Sequence, residues 1–369
     1  MNADHAYKQA AAVLEQLPER LLAHADFDSV TTALRAGGEA TIDGVWGSSC
    51  ALAVAALLHR TSRPMLVVVP QLNQVDGLVD DLGLFGVDRV TSLPVPEAQP
   101  GALPDQEHVD GLRVRTLKAL SLPVVEAPQV VVSSIQGLLR PLPDQQRLSA
   151  ATSLLRVGEI LDIDHWLEQL VESGYSGSSA VAMPGEFARR GGIVDLFANE
   201  WETPVRLEFF GDQVESIRRF DVSSQRSLET LEQLEMTLAP HHSLGRDCIT
   251  SYLADDSWVV MIEPAQVQDL GRQFLERLED RESCHPLPPL LARLASRPLA
   301  NLWTLAPSRA TAHCQLQVES IDRLRGDMDH IRREIDQVVE QGDLVLVSAG
   351  SGELERFSEV LLETQTARR

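Results

Sequence analysis

Three short runs in this chain are apolar at every residue: Met65-Leu-Val-Val-Val69, Val130-Val-Val132 and Trp258-Val-Val-Met-Ile262. A strand with one face in water alternates apolar and polar side chains, so an unbroken run of this length predicts a strand buried on both faces. Strands of that kind belong to parallel sheets covered by helices, because a parallel neighbour is reached only through a long crossover. The segments between the runs have the required period. Residues 5–35, Ala51 to Leu58, Asn73 to Leu82, 108–120 and Ala265 to Leu278 read as helices, and Gln129 to Ser133 as the strand around the second run. Proline clusters over 94–104 and 286–298 read as loops, and a helix over 318–340, a strand over Leu344 to Val347 and a helix over 353–363 complete the pattern. No apolar run approaches the roughly 20 residues of a membrane span, and the first residues lack the basic start and apolar centre of a secretion signal. The expectation is a cytoplasmic α/β protein with no membrane partner.

The pattern changes near residue 141. Asp164 to Ser173 reads as an amphipathic helix with Trp166, Leu167, Leu170 and Val171 on one side, Asp164 as its N-cap and Gly174 as its stop. From 180 to 238 the chain is strand-rich, with Ile193 to Phe197, Val205 to Phe210 and Val214 to Phe220 as strands and Gly211-Asp212 as a tight hairpin turn. Alternation sorts Val205, Leu207 and Phe209 onto a core face, and Arg206, Glu208 and Phe210 onto the other. A large aromatic beside two charged groups has the composition of a binding hot spot. A single exposed aromatic next to a solvated Arg206–Glu208 pair, worth about 0–1 kcal/mol, fits the same residues.

Charge narrows the partners. Lys and Arg number 32 against 54 Asp and Glu, a formal charge of −22. Nucleic-acid affinity rests on neutralising phosphates with cations, so the chain alone is not expected to bind DNA, whereas a protein partner fits. Cys50, Cys248, Cys284 and Cys314 form no C-x-x-C pair, and His241-His242 has no ligand partner at metal spacing, so free thiols and no metal site are expected.

The stretch Asp43-Gly-Val-Trp-Gly-Ser-Ser-Cys-Ala51 has the outline of a phosphate-binding loop before a helix. Such a loop needs a Lys for the β- and γ-phosphates and a Ser or Thr for Mg²⁺. Gly44 and Gly47 are in place, but Cys50 stands at the Lys position and Ala51 at the hydroxyl position. Far along the chain, Ile262-Glu263-Pro264 ends a buried run where a helicase carries Asp-Glu, with Ile replacing the first carboxylate. On pattern alone a plain turn and the remnant of a nucleotide loop both fit. Ala349-Gly-Ser-Gly-Glu353 also lacks Lys and reads as a strand-to-helix connection.

Ser173-Gly-Tyr175, Pro184-Gly-Glu-Phe-Ala-Arg-Arg-Gly-Gly-Ile-Val-Asp-Leu-Phe197, Pro204-Val-Arg-Leu-Glu-Phe-Phe-Gly-Asp212, Glu215-Ser-Ile-Arg-Arg-Phe-Asp221 and Ser224-Gln-Arg-Ser227 together resemble the UvrA-interaction domain shared by UvrB and the transcription-repair coupling factor (Mfd) family. The defective loop, the three tyrosines in all and the lack of a Tyr-rich insert between 70 and 130 resemble the N-terminal module of the Mfd family rather than UvrB. The resemblance implies an α/β fold: a degenerate helicase-like parallel-sheet domain with an inserted α+β UvrA-interaction domain. Residues 1–140 would be its first half, 141–238 the insert and 239–369 the second half. It implies a non-enzymatic docking role in transcription-coupled nucleotide excision repair, with no catalytic residue, cofactor or metal. The implied partner is UvrA, met by Arg190, Arg206, Glu208, Phe209 and Phe210. RNA polymerase and DNA would be reached only through downstream parts of a family member, which resembles an ATP-dependent DNA translocase. Gly177 departs from the family, which usually has Arg there, and this puts affinity for UvrA in doubt. A UvrB-type ATP-dependent helicase and a stand-alone competitor for UvrA are the alternatives.

Overall fold

The computed structural model describes residues 3–95, 103–238, 244–307, 312–316, 318 and 333. Helices α1 (Ala3–Leu22) and α2 (Phe27–Arg35) lead into β1 (Glu39–Asp43), α3 (Ser48–Leu58), β2 (Met65–Val69), α4 (Val75–Leu84), β3 (Val90–Ser92), α5 (Leu103–Leu120), β4 (Val130–Ser134), α6 (Ile135–Leu139) and α7 (Gln145–Ala151). Next come β5 (Thr152–Arg156), α8 (Ile163–Glu172), β6 (Ser176–Gly177), β7 (Glu186–Arg190), β8 (Ile193–Phe197), β9 (Val205–Phe210), β10 (Gln213–Phe220), β11 (Ser227–Leu231) and β12 (Gln233–Thr237). The chain then continues through β13 (Val259–Ile262), α9 (Pro264–Arg277), α10 (Leu287–Ala295), β14 (Leu299–Trp303) and β15 (His313–Gln315).

Seven strands form a parallel sheet in the order β15-β1-β14-β13-β2-β4-β3. The apolar runs explain its layers. In β2, Met65, Val67 and Val69 enter one core with α1, α2, α3 and α4, while Leu66 and Val68 enter a second core with α5, α6, α9 and α10. Val260 and its neighbours Val259 and Met261 divide between the same two cores. Burying one such side chain stabilises by roughly 1.5–3 kcal/mol, so these strands belong in the middle of the sheet and nowhere else.

The middle of the chain builds a six-stranded sheet, β11-β10-β9-β8-β7-β6, antiparallel except for the short β6–β7 pair. It encloses a third core with Trp166 and Leu170 of α8 against Val194, Leu196, Val205 and Leu207. A two-stranded ladder, β5 with β12, carries the chain in and out. Helix α5 of the parallel-sheet layer holds this unit in place. A Cβ at Gly111 would fall 2.3 Å from the Asn199 carbonyl oxygen, so only glycine permits that approach. Two turns further on, Lys118 Nζ lies 2.8 Å from Glu200 and 3.0 Å from Glu235.

Three local expectations need correction. The N-cap of α8 is Asp162, which accepts from the His165 amide at 3.1 Å, because Ile163 is buried and draws the helix start two residues earlier than Asp164. Val171 is exposed, and Ile163 takes its place on the apolar stripe. Residues 286–298 are not a loop throughout: α10 starts at Leu287, with Pro288 in its first turn, where a missing N–H costs nothing. The strand over 344–347, the helix over 353–363, the 349–353 turn and His241-His242 lie outside the described residues, as does the helix over 318–340 apart from Val318 and Arg333.

Candidate docking face and strand-end loop

Strand register determines which side chains share the open face of the six-stranded sheet. One row runs Arg190, Ile193, Glu208, Ser216 across β7, β8, β9 and β10. The adjacent row runs Ala188, Asp195, Arg206, Arg218. Beyond Glu208, Phe210 stands opposite Gln213, which in turn bridges to Ile160. Gly211 at φ 61° makes the two-residue turn, as the first position of a type II′ hairpin requires. Four of the five sequence-predicted contact residues, Arg190, Arg206, Glu208 and Phe210, therefore meet on one surface. Phe209 does not join them: it faces the opposite side of the sheet and is buried in the third core.

The charges on this face are paired across strands, not along one. Arg206 grips the buried Asp195 carboxylate with two bonds, Nε to Oδ1 at 2.6 Å and Nη2 to Oδ2 at 2.8 Å. Its guanidinium also donates to Gln225 Oε1 at 3.1 Å and lies 4.7 Å from the centre of the Phe220 ring. The hydrogen bonds to Asp195 raise the Arg206 pKa further, so the side chain is a fixed cation. Glu208 accepts from Ser216 Oγ at 2.8 Å and from Arg218, and these contacts, Ser216 first, hold its pKa below the usual carboxylate range. The expected Arg206–Glu208 pair is replaced by Arg206–Asp195 and Arg218–Glu208. Arg190 donates to the Ser179 carbonyl at 2.8 Å and has no carboxylate partner among the described residues. Phe210 is 80% exposed.

Asp195, Arg218, Ile193, Gln213 and Ile160 are the members of this face that sequence reasoning missed. Alternation within Ile193 to Phe197 would have put Ile193 and Asp195 on one side; nothing local marks Ile160. Gly177 sits in β6 opposite Phe187, and a Cβ there would meet the Phe187 ring at 3.5 Å, an ordinary contact. Phe187 in turn pairs with Leu196, so position 177 belongs to the side away from Phe210, at the sheet edge.

The 44–51 loop follows β1 and enters α3, at the carboxyl ends of the parallel strands where α/β sheets bind ligands. Register places Ile262 of β13 beside Leu302 of β14, and Trp303 beside Asp43 of β1, so the two strand ends lie on either side of β14. Contacts from within the chain surround this loop. A Cβ on Gly44 (φ 77°) would fall 2.1 Å from the Leu316 carbonyl oxygen, and the Leu316 amide donates to Asp43 O at 2.8 Å. Asp43 Oδ1 is taken by the amides of Gly44 at 2.9 Å and Ala306 at 2.8 Å. Gly47 (φ 51°) precedes α3, Ala51 is fully buried, and Cys50 is buried with its thiol pushed up to about 12, first by desolvation and then by Glu263. Glu263 adopts φ 50° and accepts from the Thr304 amide at 2.6 Å. The loop itself contains no Lys or Arg.

Residues 154–242 match the family model described as UvrB interaction domain. The chain is 35% identical over 216 residues to the transcription-repair-coupling factor of Bacillus subtilis, covering 57% of this chain and 18% of that protein. It is 31% identical over 211 residues to that of Staphylococcus aureus, again 57% and 18%, and 29% identical over 229 residues to that of Escherichia coli, 62% and 20%. The matched part thus spans about a fifth of the length of these relatives. Both comparisons bear out the resemblance to the UvrB-like module of the transcription-repair coupling factors, and the two sheets agree with an α/β domain carrying an α+β insert. No helix among the described residues is long and apolar enough to cross a membrane.

Proposed function

We propose that this chain, which carries a UvrB interaction domain and is similar to part of the transcription-repair coupling factors, is a non-enzymatic docking module that recruits UvrA. The observation that carries the reading is the joint placement of Arg190, Arg206, Glu208 and Phe210 on one face of the six-stranded sheet. Arg206 and Glu208 are fixed by Asp195, Arg218 and Ser216, so they lose little side-chain freedom on binding. Phe210 supplies the apolar area expected of a hot spot, and Phe209 supports it from the core side. Joined to a polymerase-bound motor, such a module would link a stalled RNA polymerase to nucleotide excision repair in the cytoplasm.

The inserted unit is taken as 141–238 and the flanking halves as 1–140 and 239–369. In the 44–51 region we read a nucleotide loop that has lost its chemistry, with Cys50 and Ala51 in place of Lys and hydroxyl and Ile262 in place of a carboxylate. The test is a titration of UvrA with the wild-type chain and Phe210→Ala. Binding is expected for the wild type, weakened by about 2 kcal/mol or more in the variant. Absence of binding, or equal binding by both proteins, would overturn the reading.

A further inference from the structure

Ile160 lies outside the strands that define the face, yet it is built onto their end. The 157–161 segment runs beside the β9–β10 turn, with the Gly158 amide donating to Val214 O at 2.7 Å, the Val214 amide to Glu159 O at 2.9 Å and the Leu161 amide to Asp212 O at 2.7 Å. Gln213 Nε2 donates to Gly158 O at 3.0 Å. Gln213 faces Phe210 on one side and Ile160 on the other, so directly opposed side chains put all three on one face of neighbouring strands. With strands about 4.8 Å apart, Ile160 and Phe210 stand roughly 10 Å apart across Gln213. They are 78% and 80% exposed, and Ile193, 37% exposed, lies in the next row.

A single exposed Ile is ordinary. Two large apolar side chains held on a hydrogen-bonded frame, a few ångströms from a preset charged row, are an apolar centre with a polar rim. We infer that Ile160 is a second apolar anchor for the same partner, an inference that rests on the UvrA reading above. The partner surface it fits has an apolar recess wide enough for Phe210 and Ile160 and a carboxylate at its rim for Arg190. Charge supports that occupant: the two inner rows hold three arginines against two carboxylates, Asp195 and Glu208 are already paired, and Arg190 is left for an acidic group. A net charge of −22 on each copy disfavours association of the chain with itself.

The test titrates purified UvrA with the full chain as wild type, Ile160→Ser, Phe210→Ala, the double variant, and Val171→Ser as an exposed apolar control on α8. Circular dichroism checks that each variant is folded. Ile160→Ser is expected to weaken UvrA binding about tenfold or more and Val171→Ser less than twofold. The double variant should lose less than the product of the two single effects, because both side chains fill one recess. If Phe210→Ala weakens binding and Ile160→Ser behaves as Val171→Ser does, the anchor role is overturned while UvrA docking stands. If Ile160→Ser alters only self-association, the inference fails as well. If the wild type does not bind UvrA, or Phe210→Ala is without effect, the docking reading fails and takes the inference with it.

Discussion

Replacing Arg206 with Ala is expected to damage the fold before it reports on docking. Asp195 is 4% exposed and its carboxylate rests on two short bonds to Arg206, so the truncation strands a buried charge. Breaking a fully buried pair costs about 3–5 kcal/mol. The Arg206 side chain is 26% exposed, so water can reach part of the site and a figure nearer 2 kcal/mol applies. Loss of the stacking on Phe220, 4.7 Å away, adds about 0.5–1 kcal/mol. The sum is about 3 kcal/mol, read as a fall in unfolding free energy in urea. Arg206→Lys keeps a charge but not the two-bonded fork, and should fall between. Adding Asp195→Asn to Arg206→Ala should restore about 1–2 kcal/mol, because no unpaired charge then remains. Phe210→Ala should stay within about 0.5 kcal/mol of wild type, as an exposed side chain does. An Arg206→Ala protein within about 0.5 kcal/mol of wild type would refute this account of the face.

Three further outcomes follow from the same geometry. Glu208 has a lowered pKa in the folded chain, so its contribution is complete above the ordinary carboxylate range and is lost as pH falls through the folded value. In urea unfolding, Glu208→Gln should cost under about 1 kcal/mol at pH 7 and progressively less as the pH is lowered through the folded value; a difference that grows on acidification would contradict the pairing. Fluorescent ATP should show no saturable binding to the chain, and micromolar affinity would restore the helicase alternative. Gly177→Arg should fold normally and leave UvrA affinity within about threefold, since position 177 belongs to the side away from Phe210; a tenfold gain would show that the missing arginine matters.

What could be read from the sequence were the features set by local period. The unbroken apolar runs mark β2, β4 and β13, and alternation along Val205 to Phe210 separates the buried from the open face residue by residue. What could not be read depends on register between distant segments. Arg206 sits opposite Asp195 only because β8 pairs with β9 in one register, and Glu208 meets Arg218 only through a bulge in β10. The closeness of Leu316 to Gly44 joins residues far apart in the chain. Ile160 has no periodic neighbour to mark it. Prolines misled at 286–298, where Pro288 falls in a helix's first turn and so does not break it.

A photo-crosslink tests the central claim most directly. The full chain would carry p-benzoylphenylalanine in place of Phe210 or, in a second protein, of Trp46, which is 41% exposed at the carboxyl end of the parallel sheet. Irradiated with UvrA, the Phe210-substituted chain should form a covalent adduct and the Trp46-substituted chain none. An adduct from position 46 and none from position 210 would place UvrA on the wrong face and contradict the account.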